Sequence, residues 1–332
     1  MNDKLNWGII GTGGIAHRFA KSLLESKTGR LVAVGSRTES PAKKFAAIYP
    51  CRSHDSYEAL LANPEVTAVY ISTPHPMHKE WTVKAAEAGK HILCEKPLAM
   101  NHGEAAAMIE AARQNDVFLM EAFMYRCHPQ TARLVELIRS GTIGEVQLIR
   151  ATLSFSAPYD LKSRLFSREL GGGGILDVGC YCASIARLVA GAATGTDFQE
   201  PIEINGTGQI GAESGVDEYA VASLKFPGGI VAQLAAGVRL NLEKNVRIIG
   251  TGGSILIPDP WTMGHQTGFL KMIIFKTGIP EEVVVESSRS VYALEADLVA
   301  EYIPARQSPA MSWRDSLGNM KTLDAWRAAI SG

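Results

Sequence analysis

The N-terminal third of the chain alternates short apolar runs with stretches of helical periodicity. Strand and helix in strict alternation at this spacing predict a parallel sheet with helices on both faces. The runs are apolar throughout, as expected for parallel strands buried on both sides. The predicted strands are Leu5–Ile10, Leu31–Gly35, Val66–Ser72, His91–Glu95 and Val117–Ala122, and the predicted helices are Ile15–Ser26, Pro41–Ile48, His78–Ala88 and His102–Gln114. Ser40 and Pro41 form a predicted helix cap.

The pattern changes after Phe123. A predicted helix at Thr131–Ser140 is followed by runs without crossover helices, and turn signals at 227–229 and 252–253 predict β-hairpins. A third hairpin is predicted within 271–286, and Ser312 opens a last helix that ends near Ile330. We therefore predict an α/β chain with a doubly wound Rossmann domain at 1–122 and an α+β domain with a large, mainly antiparallel open sheet at 123–332.

The composition excludes several classes of protein. With 33 Lys+Arg against 34 Asp+Glu, the net charge of −1 does not favour a nucleic-acid partner. We find no window approaching eighteen apolar residues and no signal peptide, so neither a membrane span nor secretion is predicted. The five cysteines form no C-x-x-C pair, which favours a reducing cytoplasm. Cys180 and Cys182 are interpreted as small core residues, and no metal site is predicted.

A glycine-rich turn joins the first predicted strand to the first helix. Gly11-x-Gly13-x-x-Ala16 occupies the position that a dinucleotide-binding fingerprint requires. Gly11 permits the tight turn, Gly13 lets the backbone approach a pyrophosphate, and Ala16 lets the helix pack closely on the strand. The alternative is an ordinary glycine-rich turn. The predicted contacts to the pyrophosphate are Gly11, Thr12, Gly13, Gly14 and Ile15.

The end of the second predicted strand bears on the choice of cofactor. An NAD site usually has Asp or Glu here to bind the ribose 2′-hydroxyl, whereas this chain has Ser36, Arg37 and Thr38. A guanidinium and hydroxyl groups would hold a 2′-phosphate. NADP is therefore predicted over NAD. Two alternatives stay open: Arg37 is a solvated surface charge, or Glu39 takes the position of the acidic residue.

Glu95, Lys96 and Pro97 follow a buried strand directly. In a doubly wound sheet, ligands bind beyond the carboxyl ends of the strands, so Lys96 should point into the nicotinamide crevice. Pro97 fixes the backbone there, and a cis Lys96–Pro97 bond is consistent with so abrupt a turn. Glu95 is a candidate partner for the lysine. Three residues after the preceding strand flank the same crevice and are further cofactor candidates: Thr73, His75 and His78. For His78, helix capping or packing is an equal alternative.

The combination of GTGGIA and EKP resembles the glucose-fructose oxidoreductase/inositol dehydrogenase/MocA family of NAD(P)-dependent enzymes. The resemblance covers nearly the whole chain. TPHPMHKE, LCEKPLAMN, FLMEAFMYR, SGTIGEV and GGGGILDVGCYC are similar to segments of the dimeric dihydrodiol dehydrogenases and their sugar-reductase relatives. The resemblance implies a hydride transfer between NADP and a CH–OH or C=O carbon of a sugar, polyol or cyclic diol.

Asp177 and Tyr181 lie four residues apart in a predicted helix and should share one face. The inositol-dehydrogenase branch has His at the later position, whereas this chain has Tyr, as in the dihydrodiol and glucose-fructose branches. The resemblance implies that Tyr181 is the general acid/base, with Lys96 as its electrostatic helper and Asp177 as an orienting group. A free tyrosine has a pKa of roughly 10, so a nearby cation is needed near neutrality. The alternative is a buried tyrosine packed against a salt bridge.

Candidate substrate contacts are less specific. Tyr125 and Arg126 follow the last strand of the nucleotide domain and are predicted to line the pocket, although Arg126 could instead tie the domains together. Phe155 and Trp261 could form an apolar wall for a ring-shaped substrate, but core aromatic residues at such positions are common.

The sequence allows two alternative functions and predicts an oligomer. One rival is a sugar–sugar oxidoreductase that keeps NADP bound, and the other is a catalytically silent nucleotide-binding regulator. Along Val231–Val238 both faces are small or apolar. A partner subunit or helices of the same chain would explain this pattern, and we favour a homodimer or homotetramer formed through the C-terminal sheet.

Overall fold

The computed structural model describes residues 4–258, 260–261 and 268–331. The chain forms two compact units, one made of residues up to 127 with 289–317, and the other of 128–288 with the residues from 318 onward. The sequence predicted a single boundary between residues 122 and 123. That prediction did not include the return of 289–317 to the first unit.

The predicted helices and strands occur in the predicted order, together with elements that were not predicted, among them the strand Arg52–His54 and the helices Tyr57–Leu61 and Val291–Tyr302. The helices are α1 Gly14–Ser22, α2 Glu39–Ile48, α3 Tyr57–Leu61, α4 His78–Glu87, α5 His102–Gln114, α6 Pro129–Arg139, α7 Cys180–Thr194, α8 Val291–Tyr302 and α9 Trp313–Ile330. The strands are β1 Leu5–Ile10, β2 Gly29–Gly35, β3 Arg52–His54, β4 Ala68–Ile71, β5 His91–Glu95, β6 Leu119–Ala122, β7 Val146–Ser154, β8 Glu203–Ile210, β9 Asp217–Lys225, β10 Val231–Gly237, β11 Asn245–Gly250, β12 Gly253–Pro258, β13 Gly268–Phe275 and β14 Glu281–Ser287.

The first unit contains a parallel sheet of six strands in the order β3-β2-β1-β4-β5-β6. This is the strand order of a doubly wound Rossmann fold, and it confirms the predicted class. Strands β4, β5 and β6 are almost completely buried, which accounts for their continuous apolar runs. Their carboxyl ends lie at one edge of the sheet. The residues that follow these strands are therefore placed along that edge.

One predicted helix start is wrong. Helix α2 begins at Glu39 after an extended Thr38, so Ser40 and Pro41 lie inside its first turn and do not cap it. Proline is tolerated there because the first backbone N–H groups of a helix have no partner within the helix. The start of α9 is as predicted, since the Ser312 hydroxyl accepts a hydrogen bond from the Asp315 amide at 3.3 Å.

The second unit contains an eight-stranded sheet in the order β14-β13-β12-β11-β7-β10-β9-β8. Among the described strands every pairing in this sheet is antiparallel except that of β7 with β10, so the prediction of a mainly antiparallel sheet is confirmed. Helix α7 packs on β7 and β10. Ala232, Leu234 and Ala236 on the covered face are buried, whereas Val231 and Gln233 on the other face are exposed.

The helical stretch Arg168–Thr194 is long and apolar enough to cross a membrane by length and composition, with a mean hydropathy of 1.5 in its most apolar window. This criterion is broader than a run of eighteen apolar residues, because the stretch also contains glycines and charged residues. All of this window is buried inside the protein, as in the core helix of a folded domain.

Candidate functional site

The glycine turn after β1 fits a dinucleotide. Gly11 has a φ of +109°, and a Cβ there would lie 2.9 Å from Ser72 Oγ, so the turn requires glycine. At Gly13 and Gly14 a Cβ would meet nothing within 4 Å. No described side chain caps α1, and its first turn has no acidic residue. Its amide groups and positive dipole end are therefore suited to a pyrophosphate, and Thr12 and Ile15 flank the same turn.

The end of β2 lacks the acidic residue of an NAD site. Ser36 is buried, whereas Arg37 and Thr38 are exposed. Glu39 is the first residue of α2 and pairs with Lys43 at 2.6 Å along the helix surface. Glu39 is therefore a helix residue rather than the strand-end residue. A guanidinium and a hydroxyl group remain at the position where a 2′-phosphate would lie.

The segment after β4 places two of the cofactor candidates in contact. Thr73 is buried, and its hydroxyl has no hydrogen-bond partner among the described residues, which suits contact with a ligand. The fully buried His78 ring lies with Nε2 2.9 Å from Thr73 O and Nδ1 3.0 Å from Pro97 O. His78 thus links the segments that follow β4 and β5, which favours the packing alternative for this residue. The His75 ring packs on it with 5.7 Å between centroids.

The turn after β5 contains a cis Lys96–Pro97 peptide bond. One Glu95 carboxylate oxygen accepts from the Tyr70 hydroxyl, and the other accepts from the Lys96 amide at 3.2 Å. Leu98 N donates to Glu121 Oε1 at 2.9 Å. Glu95 therefore holds the backbone of Lys96, and Glu121 of β6 is a further contact that the sequence analysis missed.

In the second unit, the glycine run before α7 allows close backbone packing. Gly173 has a φ of +107°, and a Cβ there would collide with the Asp217 carboxylate. A Cβ on Gly174 would lie 2.7 Å from the Gly237 Cα. Asp217 Oδ2 accepts from Ile175 N at 2.6 Å, where the helical segment begins. The run is thus required by packing, and Asp217 is a residue that no motif along the chain indicated.

Asp177 and Tyr181 lie on different kinds of helix. Asp177 belongs to a π-helical turn at Ile175–Gly179 that runs into α7, whereas Tyr181 lies in α7 itself. The shared α-helical face expected from a spacing of four does not apply in the wider turn, which is a feature frequent at functional sites. Arg164 Nη1 donates to Asp177 Oδ1 at 2.7 Å and fixes the buried carboxylate.

Trp261 lies beside Tyr181, with 5.7 Å between ring centroids and an interplanar angle of 56°. Its Nε1 donates to Thr152 O at 3.0 Å. Both rings are buried. Trp261 thus lies next to the candidate acid/base, and its contact with substrate stays a prediction.

The remaining substrate candidates are packed into cores. Arg126 is buried, pairs with Asp315 at 3.1 Å, and donates through Nε to the Tyr125 hydroxyl at 2.8 Å. Phe155 packs against a small apolar cluster that includes Phe166 and Val238. These contacts favour structural roles, and substrate contact stays a prediction for all three candidates: Tyr125, Arg126 and Phe155.

The side chains of the described segments form no group of three or more His, Cys, Asp or Glu residues arranged to hold a metal ion. Cys180 and Cys182 are buried and belong to no disulfide bond. Their thiols contact the carbonyl groups of Asp177 and Ala235, each at 3.7 Å. This is the environment of small core residues.

Two family models match the chain. Residues 5–123 match the oxidoreductase family with an NAD-binding Rossmann fold, and residues 131–256 match the GFO/IDH/MocA C-terminal domain. The chain belongs to the GFO/IDH/MocA oxidoreductase family. The predicted family and enzyme class are confirmed.

Individual relatives support the same assignment. The trans-1,2-dihydrobenzene-1,2-diol dehydrogenase of Danio rerio is 37% identical over 76% of this chain and 74% of the relative. The 3-ketoreductase KijD10 from Actinomadura kijaniata, crystallised with NADP and TDP-benzene, is 27% identical with a TM-score of 0.89 over 99% of this chain and 98% of that one. An aldose-aldose oxidoreductase from Caulobacter crescentus, crystallised with glycerol, is 26% identical with a TM-score of 0.87 over the same shares.

Proposed function

We propose that this protein is an NADP-dependent oxidoreductase that moves a hydride between the nicotinamide and a CH–OH or C=O carbon of a sugar, polyol or cyclic diol. The observation that carries the proposal is the glycine turn with an uncapped helix start, followed at the end of β2 by Arg37 in place of an acidic residue. The similar dehydrogenase and ketoreductase act on a diol and a keto group. NADP supplies the hydride acceptor or donor when bound.

Each catalytic candidate has a separate role in this proposal. In the oxidative direction Tyr181 removes the hydroxyl proton, and in reduction it returns that proton to the carbonyl oxygen. Lys96 stabilises the negative charge that develops on the substrate oxygen. Asp177, fixed by Arg164, orients the substrate hydroxyl. Trp261, which packs beside Tyr181, excludes water from the Tyr181 hydroxyl and packs on the substrate ring.

A screen of sugars and cyclic diols with NADP+, followed by absorbance of the reduced nicotinamide, tests this function. We expect turnover with at least one vicinal diol or aldose and a preference for NADP+ over NAD+. A chain that binds NADPH by fluorescence titration yet turns over no member of the set would instead favour the nucleotide-binding regulator.

The similarity to an aldose-aldose oxidoreductase supports a second candidate, in which NADP stays bound while one sugar is oxidised and another is reduced. The purified protein would then carry stoichiometric nucleotide, detectable by absorbance after denaturation. Two sugars together would react without added cofactor. Nucleotide-free protein that needs added NADP+ for each turnover would exclude this candidate.

We further propose a homo-oligomer formed through the uncovered face of the eight-stranded sheet. This face carries Tyr219, Val221 and Val231, each between 39% and 45% exposed. A partner subunit that covers these side chains would remove apolar surface from water. We also propose a cytoplasmic location, supported by five cysteines that belong to no disulfide bond.

A further inference from the structure

The turn at residues 96–98 is held at each residue by a buried side chain. Glu95 accepts from the Lys96 amide at 3.2 Å, the His78 Nδ1 lies 3.0 Å from the Pro97 carbonyl oxygen, and Glu121 accepts from the Leu98 amide at 2.9 Å. Only Glu121 reaches this turn from β6, the neighbouring strand at the edge of the sheet. Its side chain is 1% exposed.

Polar and charged groups approach Glu121 from several other segments. The Ser316 hydroxyl of α9 favours the ionised form of its carboxylate and so lowers the pKa of Glu121. Asp315 and Arg126 form an ion pair beside it, and the Cys94 thiol interacts with it from β5. Glu121 Oε2 is buried and has no hydrogen-bond partner among the described residues. Burying such an oxygen is unfavourable, so packing alone does not explain a carboxylate here.

We propose that Glu121 is a positioning residue for Lys96, holding the Leu98 amide and so fixing the turn from which the lysine side chain projects. Lys96 and Leu98 are separated only by Pro97, whose φ is restricted by its ring. Restraining the amide groups on both sides of that proline therefore fixes the direction of the Lys96 side chain. The inference rests on the role of Lys96 in the proposed function.

The charge on Glu121 sets the strength of this restraint. Burial raises the pKa of Glu121 to about 7; Asp315 adds to the rise, whereas the Ser316 hydroxyl, the Leu98 amide and Arg126 oppose it. An ionised carboxylate accepts a stronger hydrogen bond than a neutral acid does. As the pH falls through about 7, the Leu98 contact weakens, and Lys96 is held less firmly. The rate of hydride transfer should fall with it.

The first test compares Glu121→Gln with Glu104→Gln. Glu104 is a matched control because its carboxylate accepts from the Met100 amide at 3.2 Å, two residues beyond Leu98. Hydrogen–deuterium exchange of the Leu98 amide, read by mass spectrometry at pH 8, should be about tenfold or more faster in Glu121→Gln, the size expected for losing a charged acceptor. Glu104→Gln should leave it unchanged. Native exchange at Leu98 in Glu121→Gln overturns the inference without any need for turnover.

The second test follows single-turnover oxidation of trans-cyclohexane-1,2-diol or D-glucose by NADP+ between pH 5.5 and 9. In the native enzyme the rate should decline as the pH falls through about 7, and this step should be absent from Glu121→Gln. Ser316→Ala leaves Glu121 intact but removes a hydroxyl that lowers the pKa of Glu121, so the step should move to higher pH. A step at the same pH in all three proteins overturns the inference.

Lys96→Met separates this inference from the proposed function. If Lys96→Met keeps the native rate, the role proposed for Lys96 is wrong, whatever Glu121 does. If Lys96→Met is slow and Glu121→Gln slows it further by the same factor as in the native chain, Glu121 does not act through Lys96. We expect Glu121→Gln to have no further effect in the Lys96→Met background.

Discussion

The Asp217 carboxylate accepts a hydrogen bond from the Ile175 amide at 2.6 Å, at the point where the helical segment carrying Asp177 and Tyr181 begins. Because the carboxylate occupies the space beside Gly173, a Cβ at that position would collide with it. Gly173 also has a φ of +107°, a region that residues with a side chain rarely adopt. One close approach between β9 and the glycine run therefore sets the start of the helix that carries the candidate acid/base.

Gly173→Ala should destabilise the protein through backbone strain at a positive φ and through the collision with Asp217. Backbone strain alone costs about 1–3 kcal/mol, and the displaced Asp217 carboxylate adds to it. Gly141→Ala is the matched control, since Gly141 has a φ of +70° but open space around a Cβ. Urea unfolding should show the larger loss in free energy for Gly173→Ala. Equal losses in the two variants would mean that the collision does not matter.

Asp297→Asn should reduce stability at neutral pH. The Asp297 carboxylate accepts from Ser26 Oγ at 2.5 Å, Thr28 N at 3.0 Å and Thr28 Oγ1 at 2.7 Å, and it also pairs with Arg289. Burial opposes ionisation, but these donors outweigh it and lower the pKa of Asp297 to about 2. Losing charged hydrogen bonds should lower the free energy of unfolding by about 1.5–3 kcal/mol.

Because folding lowers the pKa of Asp297, this loss of stability depends on pH in a defined direction. The native carboxylate contributes fully above the unfolded pKa of about 3.9 and ceases to contribute as the pH falls through about 2. The difference between native protein and Asp297→Asn, measured by urea unfolding, should thus be constant above pH 5 and shrink at pH 3. Asp55→Asn, at an exposed position, should show neither effect. A difference that grows in acid would contradict this account.

Local sequence signals located the first sheet well. β1, β5 and α5 have the predicted bounds, because apolar runs and helix caps are local features. The short strand β3 was missed because Arg-Ser-His at the edge of a sheet carries no apolar pattern. The return of α8 to the first unit was missed for a different reason. The sequence of an apolar helix does not indicate which surface the helix will cover. The contacts of Ser290 and Asp297 with Ser22 and Ser26 join residues more than 260 positions apart.

In the candidate site, too, local motifs were predictable and contacts between distant segments were not. Gly11, Lys96 and Tyr181 lie in motifs that can be recognised along the chain. Arg164, Glu121 and Asp217 instead lie on other elements. They hydrogen-bond Asp177, Leu98 and Ile175, respectively, and only the fold brings them there. The π-helical turn at Asp177 was also not predictable from spacing, since the i+4 argument assumes a regular α-helix.

Arg37→Ala should change the choice of cofactor. If the exposed guanidinium holds the 2′-phosphate, NADPH binding should weaken by about 1.5–3 kcal/mol, and NADH binding should barely change. Lys44→Ala removes an exposed cation from α2, the next helix along the chain, and serves as the control. Fluorescence titration of each variant with NADPH and with NADH measures the two affinities. Equal losses for NADPH and NADH would rule out recognition of the 2′-phosphate by Arg37.

Val221→Lys should weaken the proposed oligomer. Val221 is 45% exposed on the uncovered face of the sheet, and a charge buried there against a partner would be costly. Light scattering at micromolar concentration should show at least a dimer for the native protein and a shift towards monomer for the variant. Leu24→Lys, at an 83% exposed position in the first unit, should leave the mass unchanged. A native monomer would exclude the proposed interface.

Tyr181→Phe tests the proposed chemistry most directly. The change removes only a hydroxyl from a ring that packs on Trp261, so the fold and NADPH binding should survive. Proton transfer should slow by roughly 10²–10⁴, the usual contribution of a positioned acid or base. Steady-state kinetics should show this loss in kcat, with cofactor affinity measured separately by titration.

Lys96→Met should also lower turnover, and it should raise any tyrosine-linked pKa in the pH–rate profile, because a cation near a phenol favours its ionised form. The two substitutions should not add in the double variant if both residues act on one substrate oxygen. Near-normal turnover of Tyr181→Phe on a good substrate would mean that another group transfers the proton. His75 would then be the next residue to replace, because both ring nitrogens of His78 face backbone carbonyl groups.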